Sequence, residues 1–427
     1  MYKLKTLAIV IVVLAVAAGA SAQLRPQFFM PQGQPAAAPP TALIEAGTVL
    51  DGHGHALHDT RILVRDGKIA AIGPDLSAPG AVVYDLRDAT VMPGLIDVHV
   101  HLTRHFGPNG KASDPRESPV QNALGVANNL WVELRSGVTT VQSVGEQEDV
   151  VLKQYVQNGV IPGPRVITSI QDIYGSPDMG GDDVLLGRVA ILHLEHAGLV
   201  KIFASDSIRD GAHPILTLHQ LQVLCGEANK LGMRTLVHAY RVSVHNATVA
   251  GCTEVEHGTF GTQADLDLMA KNGTYFDPQV GVVIQNYVAH QKQFMGEGDY
   301  DPAGFQRMQQ AVDLNNRLFQ EAIHTPGLKV VMGTDSVAGA FGHAADELLA
   351  RIRDGQSAMD AIDGATALNA ESLRMGSEIG SIQRGLQADI IAVSGDPLTD
   401  PSLLQHVSFV MKGGTVYKDY VSAPSSN

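Results

Sequence analysis

The sequence predicts an α/β fold in which a (β/α)8 barrel is joined to a small composite β-sandwich domain built from both chain ends. Short apolar runs alternate with helical segments through residues 94–370, which is the order of elements in such a barrel. Strand-like runs lie on both sides of this region. The chain has 427 residues, of which a barrel takes roughly 250. The alternative is an open doubly wound sheet, but no G-x-G-x-x-G motif follows an early strand.

The barrel prediction depends on a helix–Gly–strand joint that recurs through the middle of the chain. Two examples are Ala197-Gly198-Leu199-Val200 and Asn272-Gly273-Thr274-Tyr275. A glycine just after a helix adopts the left-handed conformation that ends it, and the apolar run that follows is typical of a short buried strand. Together with the runs LIDVHVHL and PRVITS, these joints predict eight strands separated by helices.

The predicted sandwich segments are residues 42–93 and 371–427. The first contains the runs LIEAGTVLDG and TRILVRDGKIAAIG, and the second contains ADIIAVSGDP and FVMKGGTVY. Arg65-Asp66-Gly67 and Gly413-Gly414 suit tight turns between strands. We therefore expect strands from both chain ends to pair in one small domain, which leaves the barrel as a separate unit.

The amino terminus has the pattern of a signal peptide, predicted to span residues 1–22. Lys3 and Lys5 precede an apolar run, and Ala20-Ser21-Ala22 fits a cleavage site. The run is shorter than the roughly 20 residues that a membrane span needs. We expect a periplasmic or secreted protein without membrane attachment after cleavage, and a Pro/Ala-rich leader over 23–41. The alternative is an uncleaved membrane anchor.

Charge and cysteine content exclude some classes of function. The chain has 30 Lys and Arg against 44 Asp and Glu, so its formal charge of −14 argues against a nucleic-acid partner. Cys225 and Cys252 are its two cysteines, so no disulfide framework holds the fold together. Seventeen histidines are the one conspicuous excess, and they indicate metal or acid–base chemistry.

The strongest local motif is Asp97-Val98-His99-Val100-His101, at the end of the first predicted barrel strand. Side chains two residues apart share one face of a strand, so both imidazoles point to the same place. Imidazole is the commonest protein ligand of metal ions. The carboxyl ends of later strands each offer one further group, at Lys201 in GLVKIFAS, His238 in RTLVHA, His257 in TEVEHG and Asp335 in KVVMGTD.

The position of these groups matters more than their number. Barrel enzymes place their catalytic side chains at the carboxyl ends of the strands. Any one of these residues is more often a satisfied core or rim residue. A coincidence in five strands is much harder to accept, and a buried lysine such as Lys201 is costly without a special role.

Here the chain resembles the amidohydrolase superfamily. The resemblance covers nearly the whole chain after the leader, and includes the phrases VMPGLIDVHVHL and GSIQRGLQADIIAVSGDPL. It looks closest to the imidazolonepropionase-like and Xaa-Pro dipeptidase group, which contains carboxypeptidase-like enzymes and ochratoxin-type amidases. The resemblance implies a hydrolase that cleaves the amide bond of dipeptides or N-acyl amino acids, and relatives of this kind commonly assemble into homo-oligomers.

The resemblance also implies a binuclear metal centre. Two divalent ions, zinc by our choice, would activate a bridging water as hydroxide and polarise the scissile carbonyl. Asp335 would bind metal and act as the catalytic acid–base. By position in the motifs, His99, His101 and Asp335 would bind one metal, His238 and His257 would bind the other, and Lys201, carboxylated by CO₂ to a carbamate, would bridge both.

Three residues are predicted to bind the substrate. Tyr240 lies two residues after His238, and a tyrosine so placed in related dipeptidases resembles a ligand of the substrate carboxylate. Arg241 offers a bidentate clamp for the same group, or else begins the next helix and faces solvent. His343 follows Asp335 in a loop. Residues 284–310 are predicted to be a long insertion that covers the site.

Two alternatives to amide hydrolysis remain open from the sequence. The same metal centre could act on cyclic amides, lactones or organophosphates. A non-catalytic periplasmic binding protein on a barrel scaffold belongs to another class altogether. The complete ligand set argues against it, because a binding protein has no need for metal-competent groups on five strands.

Overall fold

The computed structural model describes residues 40–112, 114–176 and 179–421. The predicted signal peptide at 1–22 and nearly all of the predicted leader at 23–41 lie outside these residues. The described chain begins with four strands, whose apolar residues Ile44, Val49 and Ile62 are buried in one cluster. These strands are β1 Ala42–Leu50, β2 Ala56–Arg65, β3 Lys68–Gly73 and β4 Val82–Pro93.

Strands then alternate with helices, as the sequence predicts. The strands are short and mostly buried, whereas each helix buries one face. In chain order the elements are β5 Leu95–Val100, α1 Pro119–Arg135, β6 Val138–Ser143, α2 Asp149–Gln157, β7 Arg165–Thr168, β8 Asp172–Tyr174, α3 Asp182–Leu194, β9 Val200–Phe203, α4 Leu218–Lys230, β10 Thr235–Ala239, α5 Val242–Val249, β11 Glu254–His257, α6 Gln263–Asn272, β12 Tyr275–Asp277, α7 Val283–Ala289, α8 Gln291–Phe294, α9 Pro302–Ile323, β13 Lys329–Val330, α10 Ala344–Arg353, α11 Ala358–Gly364 and α12 Ala367–Ser372.

Local sequence accounts for the helix ends. Ser118 and Gln121 form a capping box at the start of α1, which satisfies backbone N–H groups that the helix leaves free. Gly273 ends α6 with a φ of 71°, as the joint predicts. At the joint before β9, however, the left-handed residue is His196, with a φ of 60°, and not Gly198. No helix in the described ranges has the length and apolar character needed to cross a bilayer.

The middle strands form two parallel sheets. One has the order β5-β6-β7, and the other has the order β13-β12-β11-β10-β9-β8. Backbone hydrogen bonds join β5 to the segment that follows β13: the N–H of Val98 donates to the carbonyl of Met332 at 3.2 Å, and that of Asp335 donates to His99 at 2.9 Å. These bonds bring the carboxyl ends of the first and last strands of the series together.

The last strands return to the first ones. They are β14 Ile390–Ser394, β15 Val407–Lys412 and β16 Thr415–Asp419, and a 3₁₀ helix spans Pro401–His406. Strand β14 pairs antiparallel with β4, so both chain ends contribute to one seven-stranded sheet of order β16-β15-β14-β4-β1-β2-β3. The described chain therefore has the predicted mixture of α and β elements, with strands from its two ends side by side.

The two cysteines of the chain form a disulfide. It links Cys225 in α4 to Cys252, two residues before β11, across a sequence separation of 27. Both residues are buried in the cluster between the outer helices and the second sheet. The bond therefore closes one loop within the α/β region, in agreement with the prediction that no disulfide framework organises the fold.

Candidate metal centre

The carboxyl ends of the parallel strands open into a cavity of about 380 Å³. Aromatic side chains form much of its wall, including Tyr240, Tyr287 and Tyr300. Its floor contains all six side chains that the sequence predicts as metal ligands: His99, His101, Lys201, His238, His257 and Asp335. Residues separated by up to 236 positions along the chain thus meet in one place, as the strand-end argument requires.

The first group of ligand-type residues consists of His99, His101 and Asp335. The Nε2 atoms of the two histidines are 3.3 Å apart, and Oδ1 of Asp335 lies 3.4 Å from Nε2 of His99 and 3.2 Å from Nε2 of His101. Three donor atoms at this separation surround a point at which one cation can sit, and the group meets the spacing expected of a metal site. The donor set, two imidazoles and a carboxylate, suits zinc and similar divalent ions.

Asp97 connects strand β5 with the segment after β13, and these two carry this group. Its Oδ1 accepts the backbone N–H groups of His99 and Thr334, each at 3.0 Å, and its Oδ2 accepts the Thr334 hydroxyl at 2.6 Å. Asp97 is fully buried, and burial raises the pKa of its carboxyl. By accepting hydrogen bonds from both segments, Asp97 holds His99 and Asp335 in a constant relation.

The second group consists of His238 and His257, whose ring nitrogens lie with a carboxylate oxygen of Glu256 at the spacing expected of a metal site. Nε2 of His257 lies 2.9 Å from Nδ1 of His238, and both rings are almost completely buried. His257 follows Glu256 directly, so in a regular strand the two would point to opposite faces. A φ of 60° at His257 breaks the strand geometry, and both side chains reach the same cluster. Backbone strain of this kind is typical of functional sites.

Lys201 lies between the two groups and is paired with a carboxylate that the sequence did not single out. Its Nζ contacts Oε2 of Glu256, and Oε1 of Glu256 lies 2.7 Å from Nδ1 of His99. All three side chains are at most 2% exposed. This pairing offsets the cost of burying the lysine charge, and Glu256 thereby touches residues of both predicted metal positions.

Electrostatics favours cation binding at this floor. Burial would raise the pKa of Asp335, but the positive fields of His99, His101 and His257 hold it well below its ordinary value. Burial lowers the pKa of His257 to about 4 and that of His238 well below its usual range. At neutral pH the Asp335 carboxylate is therefore ionised and the imidazoles of His238 and His257 are neutral, which is the protonation state that metal ligands need.

Of the three predicted substrate-binding residues, only Tyr240 lines the cavity. Its ring stacks on His257 at 5.2 Å between centroids, and burial raises the pKa of its hydroxyl, so it is a neutral donor. Arg241 is exposed and lies 4.1 Å above the ring of Phe260. His343 is exposed and pairs with Asp346 at 2.8 Å. The roles of Arg241 and His343 stay predictions, since neither lines the cavity within the described residues.

The predicted covering segment supplies part of the cavity wall, and it brings a partner that the sequence did not indicate. Tyr287 and Tyr300 come from residues 284–310 and line the cavity. The guanidinium of Arg209 lies 4.0 Å from the ring centre of Tyr300, and its Nε is 3.0 Å from Oδ2 of Asp299. The loop after β9 and the covering segment are far apart in sequence, so no local pattern predicted this contact.

Glu256 was missed for a different reason. It stands in the quoted TEVEHG run, but strict alternation assigns it to the face opposite His257. Gln279 was also missed: it lines the cavity, and its Nε2 lies 2.7 Å from both Nδ1 of His99 and Oδ2 of Asp277. The available signal was the position of these polar residues in or next to runs that are expected to be buried. Carboxylates and amides are rarely buried without a partner.

A family model described as the amidohydrolase family matches residues 90–422. The chain belongs to the amidohydrolase family. Ochratoxinase from Aspergillus niger is 26% identical over 430 aligned positions, covering 88% of this chain and 86% of that protein. Imidazolonepropionase from Thermoanaerobacter pseudethanolicus is 22% identical, covering 79% and 84%. A solved Xaa-Pro dipeptidase with methionine in its active site superposes with a TM-score of 0.79, at 27% identity, over 88% of this chain and all of that one.

These similarities confirm the resemblance on which the sequence analysis relied. Relatives of the predicted group, ochratoxinase, imidazolonepropionase and Xaa-Pro dipeptidase, all match over most of the chain. The predicted enzyme class, a hydrolase of amide or peptide carbon–nitrogen bonds, is confirmed by the family. This amidohydrolase has side-chain groups that fit a metal ion at the floor of its cavity.

Proposed function

We propose that this amidohydrolase is an exported binuclear metalloenzyme that cleaves the amide bond of dipeptides or N-acyl amino acids. The observation that carries the proposal is the convergence of the six ligand-type side chains on the floor of a single cavity. The similarity to ochratoxinase and to a Xaa-Pro dipeptidase supports a substrate with a free amino acid as its leaving group.

The ligand assignment follows from the two groups of donors. His99, His101 and Asp335 would hold one ion. His238 and His257 would hold the second, for which zinc suits the donors. Lys201, buried at the junction of both groups, would be carboxylated by CO₂, which replaces a buried cation with an anion that has two oxygen donors. Bound divalent ions supply Lewis-acid activation of water and of the scissile carbonyl.

The chain's own residues account for proton transfer and substrate orientation. The Asp335 carboxylate is ionised and partly open to the cavity, so it can accept a proton from the attacking water and pass it to the leaving amine nitrogen. The neutral Tyr240 hydroxyl can donate a hydrogen bond to the substrate carboxylate. Tyr287, Phe294 and Tyr300 are the aromatic residues that the covering segment contributes to the cavity wall. They would limit the access of bulk water to the metal-binding floor.

The architecture and the cellular location form part of the same proposal. The backbone hydrogen bonds between β5 and the segment after β13 support a closed (β/α)8 barrel over 94–370. The mixed seven-stranded sheet supports the composite sandwich domain over 42–93 and 371–427. The disulfide between Cys225 and Cys252 supports export, because disulfides persist mainly in oxidising compartments. Assembly into a homo-oligomer is proposed only because related enzymes commonly assemble.

The first experiment is metal analysis of the purified protein, followed by turnover of Xaa-Pro, Xaa-Phe and Xaa-Arg dipeptides, N-acyl amino acids, ochratoxin, a hydantoin and a lactone. We expect about two metal ions per chain and release of a free amino acid. Lys201→Ala should lose two-metal binding and activity, and short carboxylic acids should restore both in part. Lys230→Ala, an exposed lysine on α4, is the matched control.

Each alternative outcome has a definite meaning. Two metal ions with turnover of only the hydantoin or the lactone would support the binuclear centre. The proposed substrate class would then change from dipeptides and N-acyl amino acids to cyclic amides or esters. Full activity in Lys201→Ala would exclude the carbamate bridge. A wild-type protein without metal and without turnover would contradict the proposal as a whole and favour a binding protein.

A further inference from the structure

Arg209 is a cation in the cavity wall that the proposed mechanism does not use. It stands in the loop after β9 and lines the cavity, and its side chain is 18% exposed. The guanidinium carbon lies 4.0 Å from the ring centre of Tyr300 and 5.4 Å from that of Tyr287. A planar guanidinium packs well on aromatic rings, and these two rings fix its place in the wall.

One carboxylate is already paired with Arg209, and it occupies one edge of the guanidinium. Nε lies 3.0 Å from Oδ2 of Asp299, but Nε is buried without a hydrogen-bond partner in the described residues. A guanidinium carries five N–H donors in a planar fork, so its terminal nitrogens can bind a second carboxylate. Asp210, the next residue in the chain, is exposed, and solvent screens its negative charge.

The loop that presents Arg209 is held by hydrogen bonds on several sides. The backbone N–H of Arg209 donates to the Ser207 hydroxyl at 3.0 Å, and its carbonyl accepts a hydrogen bond from Arg307 on α9. The N–H of Asp206 donates to the carbonyl of His213 at 2.8 Å, which joins the two ends of the loop. A cation on a loop held in this way loses little freedom when it binds an anion.

Arg209 and Tyr240 belong to the same part of the wall. Tyr240 and Tyr287 are buried in one apolar cluster, and Tyr300 packs against it. Burial raises the pKa of the Tyr240 hydroxyl, and the positive charge of Arg209 acts against this rise. Coulombic interaction weakens with distance, so the guanidinium is a neighbour of the hydroxyl that is proposed to meet the substrate carboxylate.

We propose that Arg209 binds the α-carboxylate of the leaving amino acid together with Tyr240, and thereby selects substrates that end in a free carboxylate. A guanidinium and a neutral hydroxyl are complementary donors for a carboxylate. The clamp that the sequence predicts at Arg241 then belongs to Arg209, because Arg209 lines the cavity and Arg241 is exposed. The proposal rests on the proposed amide hydrolysis.

The first test is steady-state kinetics of the metal-loaded full-length protein with an Xaa-Phe dipeptide and its carboxamide. Arg209→Met should raise KM for the dipeptide about 10–100-fold and change kcat less than about threefold. KM for the carboxamide should change less than about threefold. Arg209→Lys, which keeps the charge but loses the fork, should be intermediate. Arg317→Met, an exposed arginine on α9, is the matched control and should keep the wild-type values.

Calorimetric titration with L-phenylalanine and L-phenylalaninamide supplies a measurement that needs no turnover. The wild type should bind phenylalanine more tightly than its amide, and Arg209→Met should lose this preference. If Arg209→Met does not fold, Arg209→Lys carries both measurements, and its preference should be reduced.

A double variant tests whether Arg209 and Tyr240 bind the same group. Tyr240→Phe should raise KM for the dipeptide less in the Arg209→Met background than in the wild type, because the two side chains share one carboxylate. Additive effects would mean that the two residues bind different groups, and would overturn the shared site.

The remaining outcomes separate this proposal from the proposed function. Equal losses of affinity for acid and amide ligands in Arg209→Met would assign Arg209 to packing against Tyr300 and overturn the proposal. An effect confined to Xaa-Asp and Xaa-Glu substrates would overturn it as well, because Arg209 would then bind a side-chain carboxylate. Turnover with an unchanged KM in Arg209→Met would reject the proposal and keep the proposed function. A wild type that prefers phenylalanine to its amide through Arg209, but cleaves no amide, would do the reverse.

Discussion

Glu254 and Glu256 occupy two levels of the same strand and behave in opposite ways. Both are fully buried in β11, and both lie on the same side of the strand. Burial raises the pKa of Glu254 to about 8, and neither of its oxygens has a hydrogen-bond partner within the described chain. Burial also acts on Glu256, but the charges of His99 and Lys201 hold its pKa below the ordinary range.

The difference lies in what the neighbouring strands place opposite each carboxylate. Arg234 attracts Glu254, but it donates its hydrogen bond to Gln142. Glu256 has Lys201 and His99 in direct contact. Identical side chains with identical burial therefore reach different charge states two residues apart. We call the level of Glu256, next to the metal ligands, the upper level, and that of Glu254 the lower level. We expect changes at the upper level to act on metal binding and turnover, and changes at the lower level to act on stability.

Asp335→Asn tests the upper level and has the largest expected effect. The amide cannot take up the proton, so kcat should fall by about 10²–10⁴-fold. Metal content should remain, because the amide oxygen and the two histidines still offer donors. Steady-state kinetics with a dipeptide and metal analysis measure both, with the exposed Asp267→Asn as control. Unchanged kcat would remove Asp335 from the mechanism.

Glu254→Gln tests the lower level through the pH dependence of stability. Between the unfolded value of 4.5 and the folded value of about 8, the folded protein holds a proton that the unfolded chain has released. The free energy of unfolding therefore falls as pH rises through this window. The stability that a carboxyl with a raised pKa contributes is fully present below its unfolded pKa and is lost as the pH rises through its folded pKa. Glutamine does not titrate, so between pH 5 and pH 8 the free energy of unfolding should fall by on the order of 2 kcal/mol less in Glu254→Gln than in the wild type.

Urea unfolding of the metal-free protein at pH 5, 6.5 and 8 measures this slope. Glu256→Gln serves as the comparison, because its carboxyl pKa is shifted in the opposite direction. Equal pH slopes for the wild type and Glu254→Gln would mean that the two levels of β11 do not differ in charge state.

Tyr240→Phe tests whether the cavity wall recognises the substrate carboxylate. Loss of a hydrogen bond to a charged group should raise KM about tenfold for N-acyl amino acids, with little change in kcat. The corresponding carboxamide substrates should show no such change. An equal effect on acid and amide substrates would assign Tyr240 to packing against His257 and not to recognition.

Arg241→Met and His343→Asn have the smallest expected effects. Both side chains are exposed and lie outside the cavity lining, so kcat/KM should change by less than about twofold. A tenfold rise in KM for either variant would restore the role that the sequence predicts for that residue, and would require a closed conformation that brings it to the substrate.

The sequence was sufficient for the floor of the cavity and insufficient for its surroundings. His238 and Asp335 could be predicted because each ends an apolar run, and His99 and His101 because they share one face of a strand. Lys201 could be predicted because a lysine inside an apolar run is costly to bury without a special role. The contact of Arg209 with Tyr300 could not be predicted, since it joins two loops whose paths no periodicity specifies.

The sequence by itself determined which residue types stand at the strand ends and which of them share a face. That information is local, because backbone geometry alternates side chains with a period of two. The tertiary structure decided the charge and the partners of each group: it turned His257 to the side of Glu256 through a positive φ, and it left Glu254 without a hydrogen bond. The physical reason is that pKa and coordination depend on distances across strands and on burial, and these arise only when the whole sheet is packed.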